Sequence, residues 1–190
     1  MPRVSMRDEI VEAAVEVFHE QGFYGAGVKE ITQAAGVPKG SLYNHFESKE
    51  ALAVEAIQLY GSRRRVAELT CPGTPALGRL RSHFEFLRDE TLHFGIRRGC
   101  LVGNFGAEAA DHSEPIRATV AAGFEHWRTA IAEVIGQAQQ EGTVRAEADA
   151  QLLAGFILSA WEGVLIAART ARSDEQFAEF FKVMFEDLLR

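Results

Sequence analysis

Apolar residues recur at steps of three and four along almost the whole chain, and no stretch alternates as a half-buried strand would. Val11, Ala14, Val15 and Phe18 follow Ser5, whose Ser-x-x-Asp spacing to Asp8 predicts a capping box, and Gly22 suits the left-handed position that ends a helix. Residues 28–35 predict a short helix stopped by Gly36. After Gly36-Val37-Pro38, a segment over 39–46 sets Leu42 and Phe46 on one face and leaves Ser41, Tyr43, Asn44 and His45 largely on the others. Ser48 is placed to cap a fourth helix over 49–65.

Thr70-Cys71-Pro72-Gly73-Thr74-Pro75 cannot continue a helix and reads as a linker. Helical spacing resumes at Leu77, Leu80, Phe84 and Leu87, and a shorter helix is predicted over 100–110. Ser113-Glu114-Pro115 predicts the cap and early proline of a long amphipathic helix through Ile116, Val120, Phe124, Trp127, Ile131, Val134 and Ala138 to Gly142. Two helices close the chain, one over 149–171 and one from Ser173, whose spacing to Gln176 predicts a second capping box. The first is apolar on nearly every side, and such a helix must be covered twice. Either one internal core covers both closing helices, or they also bury against their copies in a second subunit. On the latter reading Gly155, Ser159, Ala160, Trp161, Phe177, Phe180, Phe181 and Met184 form a homodimer interface. The expected fold is all-α with about nine helices, a small head over 1–50 and a larger body over 51–190.

Composition narrows the function. Hydrophobic residues are 47% of the 190 and charged residues 25%, which is globular usage. No uninterrupted apolar run of membrane-spanning length and no N-terminal leader is visible, so a cytoplasmic location without a membrane partner is expected. Cys71 and Cys100 are too few for a disulfide framework and lack His or Cys at zinc-ligand spacing, so neither a metal nor another cofactor is expected. A formal charge of −7 argues against general coating of nucleic acid, and any DNA contact must come from a local patch. From Val37 to Phe46 the only formal charge is Lys39, with His45 nearby.

Residues 28–49, VKEITQAAGVPKGSLYNHFESK, read as a helix, a tight turn and a second helix with small, polar and aromatic residues outward, which is a helix-turn-helix arrangement. Such pairs occur in many helical proteins, but these residues resemble those of the TetR family of bacterial regulators. The likeness lies in Phe18-His19-Glu20-Gln21-Gly22-Phe23, in Ile31 to Val37, and in Lys39 to Leu52 against K-G-(S/T)-(L/I)-Y-x-H-F-x-S-K-E-x-L. It implies a three-helix DNA-binding head and a C-terminal body that binds an effector and dimerises. It also implies that Lys39, Gly40, Ser41, Asn44 and His45 face the groove, with Tyr43 and Lys49 on phosphates. Their chemistry agrees: Lys donates to guanine, Asn pairs with adenine, and Gly40 admits close backbone approach. Alternative roles are a half-buried aromatic for Tyr43 and a contact to the fourth helix for His45. Gly27-Val28 departs from the family, which more often has threonines there, and shifts the expected contact to Lys29. Arg63-Arg64-Arg65 reads either as a second basic patch or as a solvated helix end.

For the body, Phe84, Phe94, Cys100, Asn104, Phe105, Phe124, Trp127, Arg128 and Phe156 are the expected pocket residues, with His83 and His126 as further polar candidates. Cys100 follows Arg97-Arg98-Gly99 near an expected helix start, where a thiolate is favoured, and the stretch resembles the G-C-L-x-x-N segment of a TetR subgroup that includes regulators of electrophile detoxification. It reads equally as a small buried hydrophobe. No phosphate loop, nucleophile elbow or zinc-protease motif is present, and Glu108, Asp111 and His112 read as helix-end chemistry, so an enzyme is not expected. The expectation is a ligand-responsive regulator binding double-stranded operator DNA. A partner-binding or architectural helical protein is the alternative, told apart by its lack of sequence preference and effector response.

Overall fold

Ser5, Ser48 and Asp149 each turn a side-chain oxygen onto the first backbone N–H groups of a helix: Ser5 Oγ accepts from Asp8 N, Ser48 Oγ from Ala51 N, and Asp149 from Gln151 N and Leu152 N. These caps set three starts in a computed structural model that describes residues 5–190. The helices are α1 (Met6–Gly25), α2 (Val28–Ala34), α3 (Ser41–His45), α4 (Lys49–Ser62), α5 (Ala76–His93), α6 (Leu101–Ala109), α7 (Glu114–Gln140), α8 (Ala150–Ala171) and α9 (Glu175–Lys182). A 3-10 turn, Val66–Thr70, precedes α5, and a π-helical segment, Val183–Leu188, extends α9. No strand occurs among the described residues.

The chain forms two compact units. One contains the residues up to Arg63 together with Cys100–Gly123. In it α4 and α6 both pack on α1, so this unit is larger than the expected 1–50 head. Ile10, Phe18, Ile31, Leu42, Leu52 and Leu101 are fully buried there, and Phe105 meets Phe18 edge-on at 5.4 Å between centroids. The other unit contains Arg64–Gly99 and Phe124–Arg190. Its core is aromatic: Phe84 meets Trp161 at 5.1 Å and Phe180 at 5.3 Å, and stacks with Trp127 at 6.3 Å.

Several expected details differ. Ser113 does not cap α7, because its hydroxyl is buried and makes no hydrogen bond. The Ser173–Gln176 box does not form: Asp174 directly precedes α9, Ser173 Oγ accepts from Glu175 N, and Gln176 Oε1 is buried without a partner. α4 ends at Ser62 rather than near Arg65, whose φ of 54° is left-handed. Arg64 pairs with Glu90, Arg65 lies over the Phe86 ring at 4.1 Å, and Arg63 pairs with Glu12, so the triplet is held at carboxylates and a ring rather than forming a free basic patch. Finally, α8 is long and apolar enough to cross a membrane by length and composition, although no uninterrupted apolar run was expected. Ala154, Ile157, Leu158, Trp161 and Leu165 line its buried side.

His83 on α5 adds a pH term. Its Nε2 accepts the indole Nε1–H of Trp127 at 2.9 Å, and burial, aided by the nearby Arg64 charge, pushes its pKa down from 6.5 to about 4. A folded pKa below the unfolded one means that the neutral ring's contribution is fully present above about pH 6.5 and is lost as pH falls toward 4. Denaturant titrations across that window should show up to ~3 kcal/mol of acid destabilisation from this group. His83→Gln, which keeps an acceptor for Trp127 and cannot titrate, should flatten the profile by that amount. An unchanged profile would refute the assignment.

Candidate nucleic-acid interface

α2 ends in a doubly bonded turn. Gly36, at φ 69°, donates to Gln33 O, and Val37 N donates to Thr32 O. Thr32 is buried and returns its hydroxyl to Val28 O and Lys29 O. Ile31, Leu42 and Phe46 point inward, so the outer face of the pair is left to Lys29, Lys39, Gly40, Tyr43, Asn44 and His45, all exposed. Tyr43 is 60% exposed, which removes its half-buried alternative. Lys29 and Lys39 make no ion pair among the described residues, and Asn44 and His45 offer amide and imidazole edges beside them.

Two expected contacts fall elsewhere. Ser41 is only 8% exposed at the start of α3, because Leu42 and Phe46 draw that turn inward, so its hydroxyl is not free on the outer face. Lys49 is half-buried with its Nζ 4.5 Å from the Phe23 ring, and this desolvation lowers its pKa although the Glu108 charge opposes the shift. It closes over the end of α1 instead of reaching outward. At Gly27, the residue before α2, no side chain caps the helix, and the Glu30 carboxylate occupies the space a Cβ would need. Lys29 is the one cation of that helix.

One residue that sequence reasoning treated as helix-end chemistry holds this surface together. Glu108 on α6 accepts Phe23 N with Oε2 at 2.8 Å and Tyr24 N with Oε1 at 2.7 Å. Those N–H groups are released where Gly22, at φ 76° and ψ 174°, breaks α1. A Cβ at Gly22 would lie 2.6 Å from Glu108 Oε2, so the strained backbone and the close carboxylate both require glycine. No local signal reveals the pairing, because 85 residues separate the partners. At the other end of α6, Cys100 is 7% exposed and its Sγ accepts Gly103 N at 3.5 Å, so the thiol caps the helix.

The nine expected pocket residues fall in both units. Phe84 and Trp127 belong to the ring cluster of the second unit, whereas Cys100 and Phe105 are buried in the first, with Asn104 half-buried on α6. Phe94 is exposed beside the Arg98 guanidinium, and Phe124 is half-buried. Arg128 engages Glu125 at 2.7 Å and Gln151 at 3.0 Å. Phe156, 58% exposed, lines a groove between α8 and α9 with Gly163, Val183 and Met184. Of the expected dimer residues, Trp161, Phe177, Phe180, Phe181 and Met184 are buried within their own chain by the aromatic core, while Gly155, Ser159 and Ala160 keep partial or full exposure.

A short helix presenting an amide and an imidazole, entered through a turn that exposes a lysine and preceded by a glycine-stopped partner helix, has the arrangement of a helix-turn-helix DNA-binding protein. The family model described as bacterial regulatory proteins of the tetR family matches residues 10–56, and a tetracyclin repressor-like C-terminal domain matches residues 76–184. The chain belongs to the TetR family of DNA-binding transcriptional regulators. It is 36% identical over 192 residues to the HTH-type transcriptional repressor DhaR of Mycobacterium sp. (strain GP1), with 100% of this chain and 95% of that protein aligned. Identity to the transcriptional regulator AcuR of Cereibacter sphaeroides is 33% over 163 residues, spanning 84% of this chain and 74% of AcuR. The crystal structure of regulatory protein TetR from Rhodobacter sphaeroides matches with a TM-score of 0.86 at 29% identity, covering 94% of this chain and 96% of that one.

Three outcomes follow from this geometry. Lys39→Ala and Asn44→Ala should each weaken binding to a cognate duplex by about 1–3 kcal/mol while leaving thermal stability unchanged, read by fluorescence anisotropy. Lys49→Ala should act mainly on stability, and an anisotropy loss as large as that of Lys39→Ala would return Lys49 to the phosphate set. Glu108→Ala, which strands two N–H groups, should destabilise the fold by about 2–4 kcal/mol in denaturant titration, and Glu108→Gln by less because one carbonyl oxygen still accepts. Neutral behaviour of Glu108→Ala would refute the clamp.

Proposed function

We propose that the protein is a homodimeric, effector-released repressor that reads a roughly palindromic operator through α3, in the bacterial cytoplasm. The observation that carries the reading is the exposure of Asn44 and His45 on α3, whose Leu42 faces the core, with Lys39 exposed in the turn just before it. One such helix offers too few base contacts for tight specificity, and two heads on a two-fold site supply the rest. The proposed reading set is Lys29, Lys39, Gly40, Tyr43, Asn44 and His45.

The dimer is argued from surplus apolar surface. Leu152, Phe156 and Ile166 on α8 and Val183 after α9 are 74%, 58%, 65% and 52% exposed, with small Ser159, Gly163 and Ala167 between the large ones. A patch of that kind on a single chain fits a self-complementary contact, and the small residues allow two copies of α8 to approach closely. The proposed interface therefore comprises Leu152, Phe156, Ser159, Gly163, Ile166 and Val183, with Gly155 and Ala160 alongside. An effector bound in the body then changes operator affinity through a coupling free energy of about 1–3 kcal/mol. The relative DhaR is named a repressor, which supports the direction of control.

Titration of the protein against the DNA flanking its own gene, with excess unrelated duplex present, tests this. Saturable binding should survive the competitor, and Phe156→Glu with Val183→Glu should yield monomers in sedimentation that bind the same DNA at least about ten-fold more weakly. Binding that follows salt alone, or a double variant that stays dimeric, would overturn the corresponding half of the reading.

A further inference from the structure

His83 is 5% exposed, with its ring edge-on to Phe84 and Trp127 at 5.4 and 5.6 Å between centroids. Its Nε2 accepts the Trp127 indole N–H, whereas its Nδ1 is buried and has no hydrogen-bond partner. An imidazole nitrogen that accepts a hydrogen bond carries no proton, so the neutral ring holds its proton on Nδ1. Burial and the Arg64 charge keep the ring neutral at physiological pH. The unit therefore contains a fixed N–H donor among aromatic rings with no acceptor in front of it, and such groups are rare because each forfeits a hydrogen bond. Aromatic rings border His83, the Trp127 N–H is already engaged, and the Arg64 charge acts on the ring. One acceptor oxygen on a hydrocarbon frame matches these surroundings.

We propose that the His83 Nδ1–H, oriented by Trp127 and lying near the Arg64 guanidinium, is the polar anchor for an effector that presents a carbonyl or carboxylate oxygen on a small apolar frame. The inference rests on the reading of the body as effector-binding. Phe84 and Trp127 supply the apolar walls, and Trp127 sets the selectivity by fixing which nitrogen carries the proton.

NMR of the full chain with 15N-labelled histidine tests this, with benzoate, acetophenone and ethylbenzene as probes of nearly equal size. His83 should be the Nδ1–H tautomer at neutral pH, and benzoate or acetophenone should move that proton downfield and change tryptophan emission where ethylbenzene does not. Tighter benzoate binding would identify a carboxylate helped by Arg64, and tighter acetophenone binding a neutral carbonyl. His83→Leu should weaken the oxygen-bearing probes about five- to hundred-fold. Trp127→Phe, which keeps the ring packing, should reduce the discrimination between acetophenone and ethylbenzene. A proton on Nε2, a water retained on Nδ1 at saturating probe, or equal or absent response to all three probes would overturn the proposal. Operator binding measured on the same samples separates the failures: intact DNA binding without probe response defeats this inference alone, and absent DNA binding by the unaltered protein defeats the regulatory reading.

Discussion

A single carboxylate organises the DNA-facing unit. Gly22 breaks α1 and leaves the N–H groups of Phe23 and Tyr24 without helical acceptors, and Glu108 takes both. The part-buried Phe23 N–H would otherwise lack an acceptor, so Glu108 on α6 stabilises the break in α1. The same carboxylate opposes the lowering of the Lys49 pKa, and Lys49 in turn covers the Phe23 ring. The start of α4, the end of α1 and the last turn of α6 thus meet around one charge. The start of α4, which directly follows α3, is thus fixed by a three-way junction.

The second unit is governed by a different constraint, the volume of its rings. Phe84, Trp127, Trp161, Phe177 and Phe180 contact one another in a connected cluster that fills the inner face of α8 and α9. Because that cluster consumes the largest side chains, the outer face of α8 is left with Leu152, Phe156 and Ile166 and small residues between them. A helix apolar all round is here divided into a side that stabilises the monomer and a side available to a copy.

Much of this was legible in the sequence, and the misses have a common cause. Periodicity located the nine α-helices of the described residues, and local capping chemistry was right at Ser5 and Ser48, where donor and acceptor lie within three residues. It failed at Ser113 and Ser173, where tertiary packing buried or displaced the groups that the spacing brought together. The outward residues of α3 followed from helical phase, except that Ser41 sits at the inward turn. Trp161, Phe177 and Met184 were expected at the dimer surface because hydrophobicity does not say which side of a helix its own chain will cover. The Glu108 clamp and the His83–Trp127 bond were invisible because each joins residues far apart in sequence through a single atom pair or two.

The sparse cationic character of the head has a consequence for how such a protein finds its target. Arg7 and Arg63 are engaged by Glu55 and Glu12 and Lys49 is folded inward, so Lys29 and Lys39 are the lysines left outward on the helix-turn-helix pair among the described residues. Affinity for arbitrary DNA grows with the number of phosphates neutralised. On the proposed reading, a head with few outward lysines would gain little from arbitrary sequence, and the part of its affinity that salt does not screen would rest on base edges.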